Sequence, residues 1–439
     1  MKKIVLTTLP TEAEFVNWTT PKYFDPTRAN RYMPLGILSL ASNLPVGSDV
    51  TVLDPSSYGW TIEQTIERIE ELKPDVLGIS AITRRVYALN EVLKRTSSPY
   101  KVVGGPHATH HAEKILTSGA NAVFVGPLAD LEFADAVESR PKGVINCRTA
   151  INDIRFPRRD LLDINDYFPK TFTLFKAENR LPMFSSIGCP NRCHFCNVQS
   201  KKLQLKRPET VVDEMQHLCS IGCRSVHVLD DNFNVNARHV REILDQMEKR
   251  DFHVEWSGRG QTKMDYSLVG RLADSGFKRI HVGIEALDND ILRFFNKNET
   301  VRDVELFCEA MNANGIDVLG YFILGSPVET EQYRERLPRR IRELGIKFPY
   351  FNILFPEPDT PYYQQLLDEG IYKEDHWARF MENPTPYYEI PHPYGEEKKR
   401  QVVDYANELI EQFKPRGSNN ETEEEGGTPV ESVSASESI

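Results

Sequence analysis

Met183-Phe184-Ser185-Ser186-Ile187-Gly188 runs directly into Cys189-Pro190-Asn191-Arg192-Cys193-His194-Phe195-Cys196. The first six residues read as a buried strand. The next eight carry three cysteines spaced Cys-x3-Cys-x2-Cys, so the strand delivers its thiols at its carboxyl end. Further strand candidates follow at 225–229, 253–257, 279–284, 315–324 and 350–355. Between them, apolar residues recur at helical spacing over 210–221, 237–250, 266–275, 301–314 and 330–344. Six strands alternating with helices predict a partial (βα)6 barrel of TIM type. Its chemistry belongs at the C-terminal ends of the strands.

The same rhythm precedes the loop. Apolar runs at 3–7, 49–54, 76–80, 101–105 and 122–126 alternate with helical patterns at 35–44, 62–72, 87–95 and 110–118. This predicts an α/β unit with a doubly wound parallel sheet, which binds its ligand outside the carboxyl ends of the strands. The candidate ligand loops lie near Asp54, Ser80, Gly104 to His107, and Gly126. The predicted organisation is a first domain at 1–140, a linker at 141–180 draped over the surface, the barrel at 181–360, a small helical region at 361–414 and a disordered tail at 415–439. The tail is polar and low in aromatics, with Glu421-Thr422-Glu423-Glu424-Glu425 inside it.

Composition narrows the function classes. The 439 residues carry a formal charge of -11, which argues against a nucleic-acid binder needing a basic footprint. No apolar run is long enough for a membrane span, and the N-terminus lacks the pattern of a secretion signal. Seven cysteines, three of them within eight residues, favour metal binding over disulfides and a cytoplasmic setting. Cys219 and Cys223, four apart on a predicted helix, read as structural cysteines, as do Cys147 and Cys308. His110 and His111 read as surface residues at a helix start.

Three thiolates on one short loop can cap three corners of a cubane cluster, which leaves one iron open to a small ligand. An electron-transfer cluster takes four cysteines, and a closed structural zinc site takes four ligands at other spacings. A zinc knuckle or a buried cysteine cluster is the bland alternative.

On these residues the chain resembles the radical S-adenosylmethionine (SAM) superfamily, whose hallmark is this cysteine spacing with an aromatic residue, here Phe195, before the last cysteine. The resemblance implies a 4Fe–4S cluster on Cys189, Cys193 and Cys196. It also implies reductive cleavage of SAM to a 5′-deoxyadenosyl radical, with electrons from a donor such as flavodoxin or ferredoxin. Along the barrel it implies SAM contacts at Phe195, Asp231, Arg259, Glu285 and Gly325, each at or beyond a strand end. From the residues alone, Asp230-Asp231 reads equally as a helix cap and Arg259 as a rim salt bridge. Phe355-Pro356-Glu357-Pro358-Asp359-Thr360-Pro361 resembles a Pro-Gly-Thr-Pro stretch, with Asp359 in the glycine's place.

The first domain resembles the cobalamin-binding domain of one branch. Val103-Gly104-Gly105-Pro106-His107 carries the likeness, with Pro34-Leu35-Gly36 upstream. Cobalamin contacts are implied at Gly36, Asp54, Ser80, Gly104, Gly105, His107 and Gly126. Two departures stand out. Ser56 occupies the place of the imidazole in Asp-x-His-x-x-Gly, and Gly126-Pro127-Leu128-Ala129-Asp130 replaces a Gly-Glu-Gly-Glu stretch. The implied reaction is cobalamin-dependent methylation of an unactivated carbon of a small molecule. A radical cyclase, oxidase or rearrangement enzyme without net methyl transfer, a radical enzyme with a vestigial first domain, and a non-catalytic metal-stabilised binding module are the alternatives. Tyr387, Tyr388 and His392 read either as a substrate lid or as packing.

Overall fold

In a computed structural model, residues 2–12, 33–168 and 179–413 are described. Strands β1 (Lys3–Thr7), β2 (Asp49–Leu53), β3 (Val76–Ser80), β4 (Lys101–Gly104), β5 (Ala122–Val125) and β6 (Gly143–Asn146) form one sheet in the order 2-1-3-4-5-6. Every pairing is parallel. Alternate residues feed opposite faces. Val5, Leu77, Ile79 and Val103 pack with Ile66, Leu89 and Val92. Ile4, Leu6, Val76 and Val102 pack with Leu38 and Phe133. Strand order reverses between β1 and β3, which places the ligand crevice of such a sheet at their carboxyl ends.

The second sheet is the predicted partial barrel. It contains β7 (Arg180–Met183), β10 (Ser225–Val228), β11 (Glu255–Gly260), β12 (Phe277–Glu285), β13 (Asp317–Leu324) and β14 (Phe348–Ile353). They lie side by side in sequence order, with β7 and β14 at the two edges. Between β7 and β10, β8 (Ser186–Ile187) and β9 (Gln204–Leu205) form a short antiparallel ribbon. Helices Pro361–Asp368, His376–Glu382 and Gly395–Phe413 complete the C-terminal region. The last buries Val402, Ala406 and Leu409. No helix among the described residues is long and apolar enough to cross a membrane.

Four readings change. The strand expected at 183–188 lies earlier, at Arg180–Met183, because the two serines that follow turn away from the ladder. Ser185 donates its N–H and Oγ–H, and Ser186 its Oγ–H, to the buried carboxylate of Asp230 at 2.5–2.7 Å. The stretch 141–180 is not merely draped over the surface: it holds β6, and Arg159 and Tyr167 are buried. Arg159 donates to Pro182 O at 2.8 Å and pairs with the buried Glu214 at 2.9 Å, which also holds Lys206 at 2.7 Å. Cys223 lies beyond the helix Pro208–Ser220 that carries Cys219. Finally, Tyr388 stacks on Phe380 at 5.2 Å and His392 is buried, so both pack, whereas Tyr387 is exposed. The tail read as disordered lies outside the described residues.

Candidate active site

The cysteine loop is pinned from four sides. Gly188 has φ +88°, and a Cβ there would lie 2.4 Å from Lys202 O, so only glycine fits the turn into Cys189. Gly188 N–H donates to Asp231 Oδ2 at 2.9 Å, and Cys189 N–H to Ser200 O at 3.0 Å. His194 N–H donates to Phe295 O at 3.0 Å, Asn296 Nδ2 to Arg192 O at 2.6 Å, and Tyr362 N–H to His194 O at 2.9 Å. Phe195 meets Phe295 edge-on, with centroids 5.3 Å apart.

All three cysteines are free thiols, partly buried. Burial pushes Cys193 up to about 12 and raises Cys196. Each lies within electrostatic reach of the other two. Among the described residues, no three His, Cys, Asp or Glu side chains converge on one point where a single ion would sit. A cubane makes no such demand, because each thiolate ligates its own iron. Three soft donors on a loop fixed by backbone bonds fit a cluster with one open iron.

The strand ends surround this loop. Both acidic residues after β10 hold the cysteine-bearing segment, Asp230 through Ser185 and Ser186 and Asp231 through Gly188. Neither caps a helix; Asn236 caps Ala237–Lys249. Burial raises both carboxyls above the usual range. Arg259, near the end of β11, is half-buried and within electrostatic reach of Asp231. Glu285 ends β12 at a bulge, with φ +61°. Its side chain folds back so tightly that a Cβ at Gly283 would lie 2.2 Å from Glu285 Oε1. Burial pushes this carboxyl up to about 7, against the pull of Lys297. Gly325, after β13, has φ +86° and is buried where a Cβ would meet Val402 Cγ1 at 3.0 Å.

Sequence reasoning passed over several neighbours. Lys297, buried, donates to Gly283 O at 3.0 Å and lies 3.6 Å from Glu285 and 3.5 Å from Glu299. Asn232 Nδ2 donates to Gln261 Oε1 at 2.8 Å and sits 4.0 Å from Cys189 Sγ; Asn191 Nδ2 donates to the same Gln261 oxygen at 3.0 Å. For Asn232 and Gln261 the available signal is their place after strands β10 and β11; Lys297 carries none.

In the first domain, Gly105 has φ +95°, and a Cβ there would lie 2.9 Å from Ala81 O and 3.1 Å from Ser80 Oγ. The loops after β3 and β4 are thus in direct contact. His107 is buried; its Nδ1 lies 3.1 Å from Thr83 Oγ1, and burial drops its pKa to about 3. Gly126 (φ +135°) donates its N–H to Thr109 Oγ1 at 3.4 Å. Gly104 is half-buried, with Phe124 Cβ at 3.9 Å from its missing Cβ; Gly36 opens to solvent. Asp54, directly after the edge strand β2, is buried and accepts from Thr8 Oγ1 at 2.7 Å and Tyr167 OH at 2.8 Å. Ser80, Gly104, Gly105, His107 and Gly126 therefore gather at one sheet end, where backbone without side chains offers the close approach a bulky corrin needs.

The two sets of strand ends meet. Arg84, after β3, pairs with Glu357 and lies over the Phe355 ring at 5.2 Å. His111 Nε2, on the helix after β4, lies 3.2 Å from Asp359 Oδ2. The same loop after β14 accepts Asn197 Nδ2 at Pro358 O, 3.4 Å away, and so touches the cysteine segment.

Two unlike half-sites face one another across that loop: a thiol loop with an open corner and a glycine-lined sheet end. Residues 183–360 match the radical SAM superfamily and residues 26–132 the B12 binding domain. The chain thus combines a radical SAM domain with a B12-binding domain. The first domain implies cobalamin, and the second a 4Fe–4S cluster and SAM. An uncharacterized methyltransferase of Pyrococcus horikoshii is 24% identical over 381 residues, covering 79% of this chain and 81% of its own. The anaerobic magnesium-protoporphyrin IX monomethyl ester cyclase of Rubrivivax gelatinosus is 24% identical over 378 residues, covering 78% and 67%. The fold is that of the radical SAM methyltransferase TsrM from Kitasatospora setae, solved with cobalamin and a [4Fe-4S] cluster bound. Its TM-score is 0.62 at 17% identity, covering 84% of this chain and 75% of that one.

Proposed function

We propose that the protein methylates an unactivated carbon of a small molecule, using cobalamin as the methyl carrier. The observation that supports this most is the meeting of the two strand-end faces through Arg84–Glu357 and His111–Asp359. When bound, the cluster and SAM supply a radical, and cobalamin supplies the methyl group.

The chain's own residues have distinct tasks in this reading. Cys189, Cys193 and Cys196 hold the cluster, and Asp231 fixes the turn that presents them. Phe195 wedges the loop against Phe295. Arg259 has the charge to take the carboxylate of SAM, Glu285 has a carboxyl that can accept from its amine or ribose, and Gly325, packed on Val402, shapes the strand end on the adenine side. Gly36, Ser80, Gly104, Gly105, His107 and Gly126 shape the corrin and nucleotide-tail side, with Asp54 bracing it from the edge strand. Ser56 offers no imidazole, so no lower ligand to cobalt comes from that motif. The electron donor is a flavodoxin or ferredoxin, and the seven free thiols suit a reducing cytoplasm. A second reading, a radical cyclase without net methyl transfer, is favoured by the relative named as a cyclase.

The test is anaerobic reconstitution of wild type and Cys193→Ala, with iron, sulfide and cobalt analysis. SAM labelled at its methyl group, a strong reductant and candidate substrates are then added. Methyl transfer predicts both 5′-deoxyadenosine and S-adenosylhomocysteine, with label in the product. Deoxyadenosine without S-adenosylhomocysteine, with product formed, would favour the cyclase and defeat methylation. Zinc in place of iron would defeat both.

A further inference from the structure

A buried lysine stands directly behind the cysteine loop. Phe295 O accepts from His194 N–H at 3.0 Å, and Asn296 Nδ2 donates to Arg192 O at 2.6 Å. These two bonds grip the residues on either side of Cys193. Asn296 then turns the chain in the left-handed region (φ +51°), and Lys297 follows it into the interior. Its ammonium is held by Gly283 O at 3.0 Å, with Glu285 at 3.6 Å and Glu299 at 3.5 Å. Glu299 Oε1 in turn accepts from Thr262 N–H at 3.2 Å. All three side chains are nearly inaccessible to solvent.

Burying a lysine and two carboxylates is expensive, and an apolar triad of similar volume would serve stability as well or better. The arrangement keeps Lys297 charged. Burial works against its ammonium, but Glu285 and Glu299 outweigh that and raise its pKa. Lys297 and Glu285 both lie within electrostatic reach of Cys193. A fixed positive charge near a cluster ligand stabilises the added electron of the reduced state, and a nearby carboxylate does the reverse. Little water intervenes to screen either effect.

We propose that Lys297 is a positioning residue that sets the reduction potential of the cluster. In this role it raises the potential, while Glu299 holds the ammonium in place and tempers its effect. The inference rests on the cluster being held by Cys189, Cys193 and Cys196, and not on what the enzyme makes.

The test is potentiometry on the reconstituted full chain without SAM, with the reduced cluster followed by electron paramagnetic resonance and iron and sulfide measured on each sample. Lys297→Met is expected to lower the potential by at least a tenfold change in redox equilibrium, which is 59 mV for one electron. Glu299→Gln is expected to raise it. The opposite signs separate electrostatics from loosening of the loop, which would move both variants the same way. If Lys297→Met fails to hold a cluster, Lys297→Arg with a wild-type potential and Glu299→Gln with a raised one sustain the proposal. An unmoved or raised potential in Lys297→Met, or an unmoved or lowered one in Glu299→Gln, overturns it. Wild-type protein without iron would instead overturn the cluster assignment itself.

Discussion

Replacing Asp359 by glycine separates two effects that usually travel together. Asp359 sits in the left-handed region at φ +60°. For a non-glycine residue that conformation costs about 1 kcal/mol, and glycine removes the cost. Against this gain stands the bond to His111 at 3.2 Å, between side chains 16% and 29% exposed. A charge-assisted bond in that half-wet setting contributes about 1 kcal/mol after allowance for screening. The two terms nearly cancel, so Asp359→Gly should unfold within about 2 °C of wild type. Yet the His111–Asp359 contact between the domains is lost, leaving Arg84–Glu357. The helix Pro106–Thr117 is already irregular at His111 (φ -129°, ψ 35°). Its amides beyond that point should exchange hydrogen severalfold faster in the variant, as should those of 355–361. His111→Ala should show the same exchange change but lose stability by about 1 kcal/mol, because the strain at Asp359 stays. Unchanged exchange in both variants, or a drop of more than about 5 °C in Asp359→Gly, would refute this balance.

Other outcomes follow from single positions. Gly188→Ala forces a Cβ to 2.4 Å from Lys202 O, so the protein should lose iron while keeping cobalamin; Gly105→Ala forces one to 2.9 Å from Ala81 O and should do the reverse, as metal analysis of the two would reveal. Glu214→Ala strands Arg159 and Lys206 as buried cations and should cost about 3–5 kcal/mol in urea unfolding. Burial alone would raise the Glu214 carboxyl, but Lys206 and Arg159 hold it below the usual range. Its contribution to stability is therefore present above the unfolded pKa near 4.3 and fades as pH falls through that window. His107, at about 3, and His227, well below its ordinary value, are buried and neutral when folded. Below about pH 6.5 the unfolded chain binds protons that the folded one refuses, so each should remove up to about 1.4 kcal/mol per pH unit. Equal urea midpoints for the metal-free protein at pH 7 and pH 5 would contradict this.

The sequence made the strand–helix rhythm and the cysteine spacing visible because both are local. Residues 76–79 and 4–6 are unbroken apolar runs, the signature of a buried parallel strand. What escaped was set by tertiary contact. Strand β6 is four residues and only half-buried, so Gly143–Asn146 shows no strong pattern. Lys297-Asn298-Glu299 is a polar stretch between predicted elements, and nothing local reveals that Glu285 lies behind it. Asp230 and Asp231 read equally as a helix cap, but neither caps one; both accept hydrogen bonds from the segment before Cys189. His107, read as part of the glycine motif, lies in the first turn of the helix Pro106–Thr117 and braces it against the loop after β3.

These misses share one cause, and it bears on function. The residues read as cofactor contacts already hold the scaffold: Asp231 holds the turn before Cys189, and Glu285 holds Lys297. A first-domain cofactor and a barrel cofactor must also be set at a fixed separation, and no single strand can do that. The loop after β14 can, because Pro358 receives Asn197 of the cysteine segment while its neighbours Glu357 and Asp359 reach Arg84 and His111. Aspartate in place of glycine at 359 then has a physical reason: it accepts local backbone strain in exchange for a partner on the other domain. A chain with glycine there would relieve the strain and give up the link, which is why the substitution matters more to the geometry between the half-sites than to the stability of either.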